Sequence, residues 1–299
     1  MTVLKGKYKN INNNSKITIC IGNFDGIHLG HQKLIKIIKS YKDSDPSIMT
    51  FHPHPKAFFK NEDFKYLSSQ KDNEKILSEQ GIHNFFIINF DNEFSKLSVN
   101  EFISFLKSLN VVRVVSGKDT KFGYRASGKL SDLKKHFEII EVEDYKEKYG
   151  KVSSTLIREE LANGNIKKVS NLLGRNYSIE GIVEHGLKIG KKIGYKTANI
   201  DYGNYKIPKN GVYYVKVFYN KEFYDGMCNV GFNPTINSNN KIKLEVNIFD
   251  FNKDIYNQSI RIYFIEHIRN EHKFENLEEL KEQLNHDKKT IIDRYIDMV

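Results

Sequence analysis

Along the first half of the chain, short β-branched apolar runs alternate with polar stretches whose apolar residues recur at helical spacing. "KITICIG" (16–22) leads into "QKLIKIIKSY" (32–41), "PSIMTFHPHP" (46–55) into "SSQKDNEKILSEQ" (68–80), and "NFFIINF" (84–90) into "SVNEFISFLKSLN" (98–110). "VVRVVSG" (111–117) leads into a glycine-rich loop, and "FEIIEVEDY" (137–145) into "SSTLIREELANG" (153–164). This alternation predicts an α/β unit, a parallel sheet covered by helices on both faces. Helix starts are marked by Ser98 with Glu101 three residues on, a capping-box spacing, and by Ser153 or Ser154 ahead of Ile157.

Beyond about Asn176 the pattern changes. "YSIEGIVEHG", "GVYYVKVFYN", "KEFYDGMCNVG", "KIKLEVNIFDF" and "QSIRIYFIEHIR" are short strand-like runs separated by Gly, Asn and Lys turns. Closely spaced strands without helices between them predict an antiparallel sandwich or barrel. The tail "NLEELKEQLNHDKKTIIDRYI" returns to helical period, with an apolar stripe suited to packing on the barrel's outside. The chain therefore reads as two domains, residues 1–165 and 166–299.

Composition agrees: 299 residues with 39% hydrophobic and 12% aromatic content are enough for two real cores. No apolar run approaches the roughly eighteen residues of a membrane span and no secretory leader is apparent, so the expected location is the cytoplasm. Cys20 and Cys228 lie far apart and outside any zinc-like spacing, and read as buried thiols in a reducing compartment. The net charge of +10 is scattered as lysines along the whole chain, with no basic stripe interleaved with aromatics, so nucleic acid is not an expected partner.

Three stretches carry candidate chemistry. In "IGNFDGIHLGH" (21–31) a strand hands over to a helix, where free N–H groups and the helix dipole attract phosphate. His28 and His31 fall on one helix face with Gly30 between them, opening the backbone to a bulky ligand. Paired imidazoles suit the charge that develops on an α-phosphoryl group under attack, although lone histidines are commonly structural. Asn23, Asp25 and Gly26 complete a sharp turn. "SGKDTKFGYRASG" (116–128) brings Lys118, Lys121 and Arg125 onto a loop with three glycines, either a phosphate-facing loop or a solvated surface one. "VSSTLIR" places Ser153, Ser154, Thr155 and Arg158 at a helix start, able to hold a pyrophosphate leaving group or simply to cap the helix.

Together these stretches resemble the bifunctional riboflavin kinase/FAD synthetase family over nearly the whole chain. "GNFDGIHLGH" is similar to that family's GxFDGxHxGH signature, "SSTLIR" to its S-S-T-x-I-R helix start, and "FHPHP" (51–55) to its second-strand exit. "GKDTKFG" resembles its G-D-F-x-F-G loop, with Thr120 where an aromatic is usual. The resemblance implies an N-terminal FMN adenylyltransferase of Rossmann-like fold and a C-terminal riboflavin kinase barrel. His28 and His31 would then steady the α-phosphate of ATP, and Asn23, Asp25, Gly26, Lys118 and Arg125 would shape the phosphate pocket. Ser153, Ser154, Thr155 and Arg158 would grip pyrophosphate, while Asp119 and Phe122 would face flavin or phosphate.

In the second half, "GLKIGKKIGYKTANI" (186–200) resembles the family's G-[FY]-P-T-A-N run. That likeness implies that Thr197 and Asn199 hold magnesium with ATP, with Lys196 in place of a stiffening proline. "KLEVNIFDF" (243–251) resembles the strand that bears the catalytic glutamate, here Glu245, with Asn247 where a histidine is common. Period-two alternation puts Glu245 and Asn247 on one face, and a carboxylate on the interior face of a small barrel would be costly unless used or paired. Arg269 would sit near nucleotide or flavin phosphate, or form an ion pair. The implied substrates and products are ATP, riboflavin, FMN and FAD, with Mg2+ as cofactor, in a monomer or weak homo-oligomer. The alternative is a monofunctional FMN adenylyltransferase with a degraded kinase half.

Overall fold

A computed structural model describes residues 1–60, 63–148, 150–185, 194–231 and 242–296. The chain divides into two compact units, Met1–Ser154 and Thr155–Val299.

The first unit is built on strands β1 (Thr2–Gly6), β2 (Ile17–Ile21), β3 (Asp45–His52), β4 (Asn84–Asn89) and β5 (Val111–Gly117). The small ribbon β6 (Lys121–Phe122) with β7 (Gly128–Lys129) follows, then β8 (Glu138–Val142), and the ribbon β9 (Lys146–Glu147) with β10 (Gly150–Lys151). The main sheet has six parallel strands in the order β1-β4-β3-β2-β5-β8. Its central strands are buried on both faces, which is why they read as unbroken apolar runs. Ile17 and Ile19 of β2 face a core shared with Phe86 and Ile88 of β4 and with Phe102, Phe105 and Leu106. Cys20, Phe85 and Ile87 face the opposite core with Ile35, Ile38 and Leu77.

The helical residues among these come from α1 (Leu29–Ile38), α3 (Gln70–Glu79) and α4 (Val99–Ser108), and this unit also holds the short helices α2 (Pro55–Lys60) and α5 (Leu130–Leu133). Helix α4 opens on the expected capping box of Ser98 and Glu101, and α3 on a second one formed by Ser69 and Asp72. Strand β1 extends the sheet by pairing with β4. Helix α6 (Ser154–Asn163) opens the second unit and is followed by α7 (Ile166–Leu173), so residue 165 falls between these two helices.

The second unit is a closed antiparallel barrel of β11 (Tyr177–Glu184), β12 (Ala198–Asp201), β13 (Gly211–Tyr219), β14 (Glu222–Gly231), β15 (Lys243–Ile248) and β16 (Ser259–Arg269). Strand order around the barrel is β11-β12-β15-β14-β13-β16. Tyr213, Cys228 and Val246 stand opposite one another in the ladders and are fully buried, as are Val215, Ile262 and Phe264. The terminal helix α8 (Leu277–Ile291) packs on the outside, where Ile291 joins Val212, Tyr214, Met227 and Phe249. Both cysteines are free and buried, and burial pushes their thiols up, away from reactive thiolate chemistry.

Candidate functional sites in the two units

In the first unit the chain winds one way through β2, β3 and β4, then crosses back to lay β5 on the other side of β2. The carboxyl ends of β2 and β5 therefore flank a topological switch point, the place where open α/β sheets bind ligands. The two loops leaving it are the histidine turn after β2 and the lysine-bearing loop after β5.

The turn is held tightly. Phe24 and Ile27 are buried with φ of 47° and 38°, in the left-handed region that bulky residues avoid, and Gly26 lies between them at 85°. Surrounding hydrogen bonds hold these conformations. The Leu67 N–H donates to Asp25 Oδ1 at 2.8 Å, the Gly26 N–H to Ser68 Oγ at 2.9 Å, and the Ser154 hydroxyl to the Asp25 carbonyl at 2.8 Å. The Thr50 hydroxyl donates to the carbonyl of Asn23, an exposed residue, at 2.8 Å. Asp25 is thus a buried organiser of the turn, and it draws the head of α6 toward it.

His28 caps α1, its Nδ1 accepting the His31 backbone N–H at 3.3 Å. A ring nitrogen that accepts carries no proton, so in the neutral ring the proton sits on Nε2. The His31 ring stacks on that of His28 at 3.7 Å and 16°, with Phe24 behind it at 4.8 Å. A Cβ on Gly30 would meet the His28 ring at 3.1 Å. The open space expected over Gly30 for a ligand is therefore filled by His28 itself.

The loop after β5 differs from expectation at one residue. Phe122 is buried against Phe102, their centroids 5.0 Å apart, and belongs to the core instead of facing flavin or phosphate. It pairs across the ribbon with Gly128, where a Cβ would come within 2.7 Å of the Phe122 ring; that glycine makes room for an aromatic. Thr120, at the position where an aromatic was expected, exchanges a hydroxyl hydrogen bond with Ser116. Lys118 and Asp119 are exposed, paired with Glu143 at 3.3 Å and Lys151 at 3.8 Å, and border a cleft of about 520 Å³ shared with Lys33 and Lys146. Arg125 is exposed at a φ of 52°, over the Tyr124 ring at 5.2 Å. Ser153 and Ser154 stand at the head of α6 with the first unit, and Thr155 and Arg158 continue that helix in the second.

On the other side of β2, the ends of β3 and β4 carry aromatics that sequence reasoning missed. Phe58 and Phe59 lie edge-on to Phe90 at 5.3 and 5.6 Å, and Phe51 lies 5.9 Å from Phe90. Phe59 is 69% exposed. The density of Phe and Tyr between residues 51 and 66 was the available signal.

In the barrel, Glu245 faces Asn199 of β12 and Asn229 of β14 directly across the ladders. Leu244, Val246 and Ile248 are the buried series of β15, so Glu245 lies on the outer face and not, as expected, on the interior one. The physical reason is that the apolar half of the alternation claims the inside. Partial burial still raises the Glu245 carboxyl above the usual carboxylate range, against the pull of Lys243. Thr197 immediately precedes β12 and borders a cleft of about 390 Å³ at the barrel's end, together with Lys196, Val246, Phe251, Lys253 and Tyr256. Of "GLKIGKKIGYKTANI", residues 186–193 lie outside the described residues. The guanidinium of Arg269 is taken up by Asp287 of α8, at 2.9 to 3.0 Å, and by the Asn270 carbonyl at 3.1 Å, the ion-pair arrangement that was the second expectation for it. Among the described residues no group of three or more His, Cys, Asp or Glu could hold a metal alone. A hydroxyl at 197, an amide oxygen at 199 and a neighbouring carboxylate at 245 nevertheless fit a magnesium ion that shares its shell with nucleotide phosphates.

An α/β unit with imidazoles at its switch point and a barrel with a carboxylate beside oxygen donors place the chain among the nucleotide-dependent transferases. The FAD synthetase family matches residues 10–156 and the riboflavin kinase family residues 173–294. The chain belongs to the bifunctional riboflavin kinase/FMN adenylyltransferase family. The Bacillus subtilis protein of that name is 37% identical over 291 residues, spanning 93% of this chain and 92% of its own. The Buchnera aphidicola (subsp. Schizaphis graminum) protein of that name is 38% identical over 317 residues and 100% of each chain. A crystal structure from Streptococcus pneumoniae described as a macrolide-efflux protein matches with a TM-score of 0.91 and 33% identity, over 99% of this chain and 100% of that one. Among the described residues of the present chain, no helix is long and apolar enough to cross a membrane.

Proposed function

We propose that the barrel unit phosphorylates riboflavin with ATP to give FMN, and that the α/β unit joins AMP from a second ATP to FMN, releasing pyrophosphate and FAD. The observation that carries this reading is that each unit matches its own family and has its own phosphate-facing geometry. Matches in both units favour two activities over adenylylation alone.

In the barrel, Glu245 accepts the proton of the ribityl 5′-hydroxyl as that oxygen bonds to the γ-phosphorus and the bond to ADP breaks. Its raised pKa makes it a better base than an ordinary carboxylate. Thr197 and Asn199 would hold magnesium with the nucleotide. When bound, magnesium supplies neutralisation of phosphate charge.

In the α/β unit, a phosphate oxygen of FMN attacks the α-phosphorus of ATP and the bond to pyrophosphate breaks. His28, through Nε2–H, and His31 donate to the charge that accumulates there. Lys118 and Arg125 neutralise phosphate oxygens from the loop after β5, with Ser153 contributing a hydroxyl and Ser154 bracing the turn through the Asp25 carbonyl. The Phe58, Phe59 and Phe90 cluster offers aromatic contact to the flavin ring.

Glu245→Ala and His31→Ala, assayed for both reactions, test this reading. Glu245→Ala is expected to abolish FMN formation and leave the conversion of FMN to FAD intact, and His31→Ala to do the reverse. Loss of both activities in either folded variant would refute separate sites.

A further inference from the structure

The ladder between β12 and β15 holds two residue pairs, Ala198 with Val246 and Asn199 with Glu245. Continued by one step, it would set Thr197 opposite Asn247, but backbone pairing stops short of that residue. At this point the Asn247 side chain takes over: its Nδ2–H donates to the Lys196 carbonyl at 2.7 Å. A second tether joins Lys196 Nζ to Asn252 Oδ1 at 3.2 Å. Lys196 and Thr197 both border the cleft at the barrel's end.

We infer that Asn247 is a positioning residue for nucleotide binding, tying the turn that carries Lys196 and Thr197, just ahead of Asn199 in β12, to the strand that carries Glu245. The inference rests on the kinase reading above. Lys196 and Asn247 are thus joined directly, from the side-chain amide of one to the backbone carbonyl of the other. Proline at 196 would fix φ covalently; here a side-chain hydrogen bond to the same residue restrains the turn instead. Because the bond is solvent-accessible, its net worth is that of an ordinary hydrogen bond, about fivefold in the population of the correctly held turn.

The test uses the full chain with riboflavin and magnesium-ATP. Asn247→Ala is expected to raise KM for ATP about fivefold, with kcat of FMN formation within about twofold of the parent and FMN adenylylation unchanged. Lys196→Pro keeps the carbonyl and restrains the same turn, so the Lys196→Pro/Asn247→Ala double variant is expected to return KM to within about twofold of the parent. An unchanged KM in Asn247→Ala, a loss confined to kcat, or a penalty that persists in full in the double variant would each overturn the inference. Absence of FMN formation by the unsubstituted protein would instead overturn the kinase reading. Adenylylation and a melting curve show that each variant is folded.

Discussion

The ring of His28 occupies the space that a side chain on residue 30 would need, with its Cε1 and Nδ1 3.1 Å from the position of a Cβ there. Gly30→Ala therefore pushes the ring off the His31 backbone N–H or breaks its stack with His31. We expect FAD formation from FMN to fall by tenfold or more, in line with misplacement of a catalytic group by a fraction of an ångström. FMN formation in the other unit should not change. Parallel assays of the two reactions decide it; full adenylylation in the alanine variant would show that the ring's position is not critical.

Glu245 titrates above the usual carboxylate range because burial disfavours its charge, and Lys243 partly offsets this. A base must be ionised to act, so FMN formation should lose activity on an acidic limb above pH 4.5. Removing the opposing cation with Lys243→Gln should shift that limb of the kcat/KM profile to higher pH. A limb that stays in place would separate Glu245 from the titration.

Much of this architecture was legible because burial on both faces turns a parallel strand into an unbroken apolar run, as in Ile17–Ile21 and Asn84–Asn89. Strand β1 escaped because it is an edge, exposed at most of its five positions, and its register comes from β4. Helix α7 did show a signal, with Ile166, Val169, Leu172 and Leu173 at helical spacing before a left-handed Gly174. Alternation along β15 separated Glu245 from Val246 but could not say which face closed inward; that is settled by the neighbouring strands. The loop holding Phe122 was harder still, since the role of Gly128 depends on a ring six residues back that packs beneath a different helix.

Phe59 is 69% exposed yet lies 5.6 Å from Phe90 at the sheet's carboxyl edge. An exposed phenylalanine contributes little to stability, so Phe59→Ala should change unfolding free energy by less than about 0.5 kcal/mol. If the cluster receives the flavin ring, loss of stacking should raise KM for FMN by roughly three- to tenfold without affecting KM for ATP in the adenylylation assay. Equal KM values for FMN would remove the cluster from the site.

Arg269 anchors β16 to α8 through Asp287, which is 1% exposed. Gln283 also donates to Asp287 Oδ1, at 2.9 Å, but supplies no charge. Arg269→Met should leave a buried carboxylate without its cation and destabilise the barrel by about 3 kcal/mol. Asp287→Asn in the same background should recover part of that loss, because it removes the unpaired charge. Denaturant melts of the parent, Arg269→Met, Asp287→Asn and the double variant measure it, and additive losses would show that the pair is not coupled.

The residue proposed as the kinase base should also weaken the fold that carries it. Its folded pKa lies above 4.5, so between that pH and the folded value the native state holds a proton that the unfolded state has already released. Stability contributed by this group therefore falls as pH rises through that window, and the ionised carboxylate is a net burden at neutral pH. Glu245→Gln removes the charge but keeps the shape. Its melting temperature should exceed the parent's at pH 7.5, with the difference closing as pH falls below 4.5, where Glu245 is protonated in the folded and the unfolded chain alike. FMN formation should fall at least about a hundredfold in the same variant, as expected for loss of a general base. A glutamine variant that melts below the parent at pH 7.5 would mean that favourable contacts, and not desolvation, govern Glu245.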